Sequence, residues 1–220
     1  MGGRVTLQRP WIEFDLGADM QVLSWAVNRP GFVTARRILW REVRNRDLPP
    51  ELEIEEWFAS ELSARGSQDA VAFLTSRDVR HYCEAMAEVE GISAHAVATV
   101  GLSNAERVGS RVDYSDRNWG TINVALHLSE GLSQTGLIEA MSIAVQARTA
   151  AVMEAAIDLP SGTATGTGTD CLAVAAPAGA TPYAGLHTAI GEAVGKAVYQ
   201  AVHRGALDWK STNSRRAEHA

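Results

Sequence analysis

The residues Ala164-Thr165-Gly166-Thr167-Gly168-Thr169-Asp170 alternate hydroxyl side chains with glycine and end in a carboxylate. Glycine lets the backbone approach a ligand closely, while successive amides and hydroxyls can point at an anion or a carbonyl. The run is no Walker loop, because no Gly-Lys-Ser/Thr follows, and it lacks the third glycine of a dinucleotide fingerprint. Asp170 stands between this run and an apolar strand, where burial and nearby donors shift its proton affinity. Capping backbone amides is its alternative role. After a short loop, Tyr183-Ala-Gly-Leu-His187 leads into a helix that carries Glu192. A histidine on a loop beside a carboxylate suits acid or base chemistry near neutral pH. Asp170, His187 and Glu192 are therefore the candidate catalytic groups, with an ion pair from Glu192 to Lys196 as the alternative for the last.

Candidate substrate contacts surround them. Arg148 falls within an apolar helical stripe, where a guanidinium is costly unless a carboxylate, phosphate or carbonyl meets it. Ser103 and Asn104 close one extended segment and Asn123 opens the next, at positions where loops hold ligands. With Thr165, Gly166, Thr167, Gly168 and Thr169 they make up the expected binding set. Hydrolysis by water activated at Asp170 or Glu192, with His187 protonating the leaving group, is one mechanism. A covalent nucleophile at Ser103 or Thr169 is the other, although no Gly-x-Ser-x-Gly elbow accompanies either. No His-Glu-x-x-His spacing is present, so no metal is expected.

The elements that must position these groups follow from periodicity. Trp11 to Leu16, Gln21 to Val27 and Arg37 to Val43 read as strands, with Asn28-Arg-Pro-Gly31 as turn chemistry. After Pro49-Pro50 a helical stripe of Leu52, Ile54, Trp57, Phe58 and Leu62 ends at Gly66. A strand over 70–75 precedes a helix expected from Asp78 to Glu90 with Gly91 as its stop. Two extended segments, 93–102 and 121–128, flank a long polar connection. A helix over 134–156, a strand over 171–175 and a helix over 188–203 complete the domain. The interleaving predicts an α/β (α+β-like) fold, a mixed β-sheet covered by helices, as one domain over 1–206 with a polar, frayed tail over 207–220.

The 220 residues suit a single domain, and 46% apolar with 21% charged residues is ordinary for a globular chain. A net charge of −6 argues against a duplex nucleic-acid partner. No apolar run is long enough for a membrane span, and the N-terminus lacks a secretory signal, so a cytoplasmic location is expected. Cys83 and Cys171, expected in a helix and a strand, read as reduced thiols. The number of subunits stays open, a homo-oligomer included.

Several segments together resemble the adenosylcobinamide amidohydrolase (CbiZ) family. They are Thr99 to Gly109, Gly120-Thr-Ile-Asn123, Gln146-Ala-Arg148-Thr149, Ala164 to Asp170 and Tyr183 to Val202. The resemblance implies hydrolysis of the amide joining the corrin propionyl arm to aminopropanol, giving adenosylcobyric acid in corrinoid salvage. It implies a corrinoid as substrate, no cofactor, and Trp25, Trp119 or Tyr183 against the ring face. Where the family shows Glu-Ala-Lys this chain has Gln146-Ala147-Arg148, and a neutral amide cannot serve as a base. A non-catalytic corrinoid-binding or sensing protein is the alternative, followed by a phosphate binder using the threonine run and Arg148.

Overall fold

A computed structural model describes residues 3–44, 47, 52–111 and 120–218. Pro49, Pro50 and Trp119, invoked above, lie outside them. The chain runs β1 (Arg4–Gln8), β2 (Trp11–Ser24), β3 (Gly31–Glu42), α1 (Ile54–Arg65), β4 (Val71–Thr75), β5 (Cys83–Val89), β6 (Ile92–Val100), β7 (Ala105–Glu106) and β8 (Ile122–Leu128). It continues through α2 (Gln134–Glu154), β9 (Asp158–Leu159), β10 (Gly162–Thr163), β11 (Gly166–Thr167) and β12 (Cys171–Ala176) to α3 (Ala189–Glu218). The main sheet is mixed, in the order β4-β3-β2-β12-β8-β6-β5, with β1 added against β2. Two neighbour pairs are parallel, β3 with β4 and β8 with β12. Parallel strands need a crossover, and α1 and α2 supply the two. The expected mixed α/β domain is what forms.

The sheet curls over itself. Its register shifts between Asp15 and Met20, where Gly17 has φ 82°, so the two segments expected as separate strands are one bent strand, β2. A bulge bends a strand and increases its twist. The first half of β2 thereby brings Phe14 edge-on to His95, with ring centroids 4.9 Å apart. Across the same seam Asn123 Nδ2 donates to Leu74 O at 2.7 Å. One core lies inside this curl, around Phe14, Ile38, Trp40, Phe73 and Val97. A second lies between the sheet and the inner faces of α2 and α3, and a third holds α1 through Phe58 and Leu62 against Leu39 and Ala72.

Two expectations are corrected. The helix placed over Asp78 to Glu90 is a short 3-10 turn followed by β5. Ala, Glu and Met favour helix, but Cys83 to Val89 pairs residue by residue with β6, and pairing outweighs propensity. Gly91, at φ 82° after Glu90 at φ 51°, turns a tight hairpin and does not end a helix. The tail expected to fray instead extends α3 to Glu218. Asp208 anchors it by accepting from Arg77 at 2.6 Å and pairing with His81 Nδ1 at 2.9 Å, while Ala206 is buried. Cys83 accordingly lies in a strand, and both thiols are free. Among the described residues no helix is long and apolar enough to cross a membrane.

Candidate active site

The threonine run lies at the edge of the β12–β8 pair, and its geometry is set by Asp170. This carboxylate is 7% exposed and forms an ion pair with Arg148, itself 12% exposed, which reaches it from α2. Oδ1 accepts from Thr167 Oγ1 at 2.5 Å and from Ile122 N at 3.2 Å. Oδ2 accepts from Thr167 N at 3.1 Å as well as from Arg148. Burial pushes the Asp170 carboxyl up, against the opposing pull of Arg148 and the Thr167 and Ile122 donors. With four donors meeting its two oxygens, Asp170 is placed to hold the loop and the guanidinium. Gly166 is required where these groups cross: a Cβ there would lie 2.5 Å from Asp170 Oδ2 and closer still to Arg148 Nη1.

A second set of struts fixes the end of the run. Thr169 Oγ1 donates to Gly120 O at 2.7 Å, and Asn104 bridges by donating to Thr169 Oγ1 at 3.3 Å while accepting from Gly120 N at 3.1 Å. Thr121 Oγ1 donates to Thr169 O at 2.8 Å. Asn104 and Asn123, expected as substrate ligands, are 2% and 1% exposed and spend their amides on this scaffold.

The run pairs with the other quoted segment. Strand β11 lies antiparallel to β7, with Gly166 opposite Glu106, and Val108 N donates to Thr165 Oγ1 at 2.8 Å. Between this ribbon and α2 opens a cleft of about 680 Å³. Thr165, Gly166, Thr167, Gly168, Arg148 and Asp170 line it, as do Trp25, Thr149 and Glu106. A depression of about 360 Å³ on the far side of Trp25 and Asp170 takes in Asn123, Thr169 and Cys171. Trp25 anchors its Nε1 to Asp170 O at 2.8 Å yet leaves the ring 47% exposed, so it forms the wall between the two. Burial pushes the Cys171 thiol up to about 12, which removes it as a nucleophile near neutral pH.

Sequence reasoning passed over Glu106. Its carboxylate faces the cleft, Oε1 lying 3.3 Å from where a Gly168 Cβ would be. Among the described residues it has no ion pair or side-chain hydrogen bond. The available signal was its place within the Asn104-Ala-Glu-Arg107 segment, but only the β7–β11 pairing aims it at the threonine run. Arg148 Nε is likewise buried without a partner among the described residues.

The structure does not bring the other expected groups here. His187 is exposed and borders a different depression with Glu139, Ser142, Gln146 and Tyr183. It follows the far end of β12, whereas Asp170 precedes the near end, and about 3.3 Å per strand residue separates them along the sheet. Glu192 is on the surface of α3, where its carboxylate accepts from Lys196 at 2.5 Å. Ser103 is exposed in a turn and borders neither the cleft nor the neighbouring depression. Gln146 is two residues from Arg148, about 200° around the helix, and points to the outer face.

No curated protein matches the chain. Among solved structures it is similar to the PH0078 protein of Pyrococcus horikoshii OT3, at 9% identity and a TM-score of 0.48, over 93% of this chain and 79% of that one. It is also similar to the L-aminopeptidase D-Ala-esterase/amidase of Ochrobactrum anthropi, at 11% identity and a TM-score of 0.40, over 93% and 82%. The family model described as adenosylcobinamide amidohydrolase (CbiZ) matches residues 2–214, a span that contains the cleft, the threonine run and every strut described above. The chain belongs to the adenosylcobinamide amidohydrolase family and is an amidohydrolase.

Proposed function

We propose that the protein hydrolyses the amide between the corrin propionyl arm and aminopropanol in adenosylcobinamide, yielding adenosylcobyric acid for corrinoid salvage, and does so in the Trp25–Arg148–Thr167 cleft. The observation that carries this reading is a hydroxyl-lined cleft in which the Glu106 carboxylate, without an ion pair or side-chain hydrogen bond among the described residues, stands beside the Arg148–Asp170 pair. Membership of the family supplies the substrate class.

Water attacks the amide carbon while Glu106 takes its proton. The oxygen that gains the electron pair meets the backbone amides of the threonine–glycine loop around Gly166 and Gly168, which line the cleft. Collapse breaks the carbon–nitrogen bond, and protonated Glu106 returns its proton to the departing amine. The products are the carboxylic acid and aminopropanol, which ionise together to carboxylate and ammonium, so atoms and charge balance without a cofactor. Asp170 positions Arg148 and the loop throughout. The exposed ring of Trp25 offers a flat apolar surface to the corrin edge.

Incubating the purified protein with adenosylcobinamide and following cobyric acid and free aminopropanol by mass spectrometry tests this. Stoichiometric release of both supports it. Tight binding without turnover would instead favour a corrinoid sensor, and absence of binding would remove both corrinoid readings.

A further inference from the structure

The outer faces of α2 and α3 carry a groove of about 450 Å³, far from the polar cleft in character. Ala147, Ala150 and Gly195 form its floor, with Ile143, Leu186 and Tyr199 as walls. Leu186 is 69% exposed beside it, and Met153 is 44% exposed one turn along α2 from Ala150.

Gly195 singles this groove out. Helix α3 contains three glycines, and two have internal reasons to be there. A Cβ at Gly205 would meet Val100 Cγ2 at 2.6 Å, and one at Gly191 would collide with the backbone of Gly185. A Cβ at Gly195 would meet nothing within 4 Å. Glycine in a helix interior costs about 0.5–1 kcal/mol relative to alanine. Among the described residues nothing offsets that cost, whereas a body pressing into the groove from outside would.

We infer that this face packs against the same face of a second copy of the chain, forming a two-fold symmetric dimer. A symmetric contact sets a patch against itself, so the patch must be self-complementary. It contains both parts: Leu186 projects, and the Gly195–Ala147–Ala150 floor recedes. It must also carry little charge, or it would repel itself. Among the described residues lining the groove Lys196 is the sole charged one, paired with Glu192 at 2.5 Å, and Glu154 at the rim is held by the Tyr199 hydroxyl. The 21 residues of α2 run about 30 Å, and two adjacent helices are about 20 Å wide, a footprint of about 600 Å² per partner, at the lower end of the range for a stable interface.

Sedimentation velocity on the full chain at micromolar concentration tests the inference. The natural sequence is expected to sediment as a dimer. Gly195→Trp, which fills the groove, and Leu186→Glu, which sets like charges against each other, should weaken dimerisation about tenfold or more with unchanged circular dichroism. A monomeric natural protein would overturn the inference, as would dimers that persist in both variants. Leu186 lies in an exposed loop, so its variant reads the interface even should the tryptophan disturb α3.

Discussion

Arg148 and Asp170 meet side chain to side chain, one from the middle of α2 and the other from the residue preceding β12, and both are almost wholly buried. Removing one partner of such a pair leaves the other as an uncompensated charge. Asp170→Asn is expected to destabilise the protein by about 3–5 kcal/mol, read by urea denaturation. Combining it with Arg148→Met should cost less than the two single changes added together. Additive effects would show that the pair is not coupled.

Gly166 and Gly168 should respond differently to alanine. At Gly166 the new methyl group collides with the ion pair, for an expected loss of about 1–3 kcal/mol and of activity. At Gly168 it meets only Glu106 Oε1, at 3.3 Å, the end of a side chain that can turn aside. Thermal melts of the two variants should separate them, with Gly168→Ala close to the natural protein.

Glu106→Gln isolates the chemistry. Because that carboxylate has no side-chain partner among the described residues, its loss should leave the melting temperature unchanged. Turnover of adenosylcobinamide should fall by about 10²- to 10⁴-fold in kcat. Full activity would remove Glu106 from its role.

Gln146→Glu should neither create nor restore catalysis, since the side chain points away from the Asp170 cleft. It places a carboxylate in the α2–α3 groove, so weaker dimerisation is the expected change. A large gain in kcat would mean that the reacting amide sits on the outer face instead.

His127, 3% exposed inside the curl of the sheet, has its pKa lowered from 6.5 to about 4, chiefly by burial and then by neighbouring His95. Above pH 6.5 both folded and unfolded forms are neutral and no penalty applies. As pH falls from 6.5 towards 4 the unfolded chain takes a proton that the folded one refuses, and about 3 kcal/mol of stability is lost. Urea denaturation across this range should show the slope, and His127→Leu should flatten it.

Local pattern was enough for much of the architecture. The α1 stripe ending at Gly66, the long α2 stripe and the apolar runs of β4, β6, β8 and β12 repeat at the helical or strand period, which burial of one face imposes on neighbouring residues. The threonine run announced a polar site through composition alone, and the misplaced guanidinium of Arg148 announced a buried partner. Long-range geometry decided the rest. Strand β5 exists because β6 pairs with it, α3 runs on because Arg77 and His81 hold Asp208, and Glu106 reaches the cleft because β7 pairs with β11. His187, only 17 positions after Asp170, stands apart because β12 carries the chain across the sheet between them. Register and sheet curvature set which distant side chains meet, and periodicity within a segment carries no record of either.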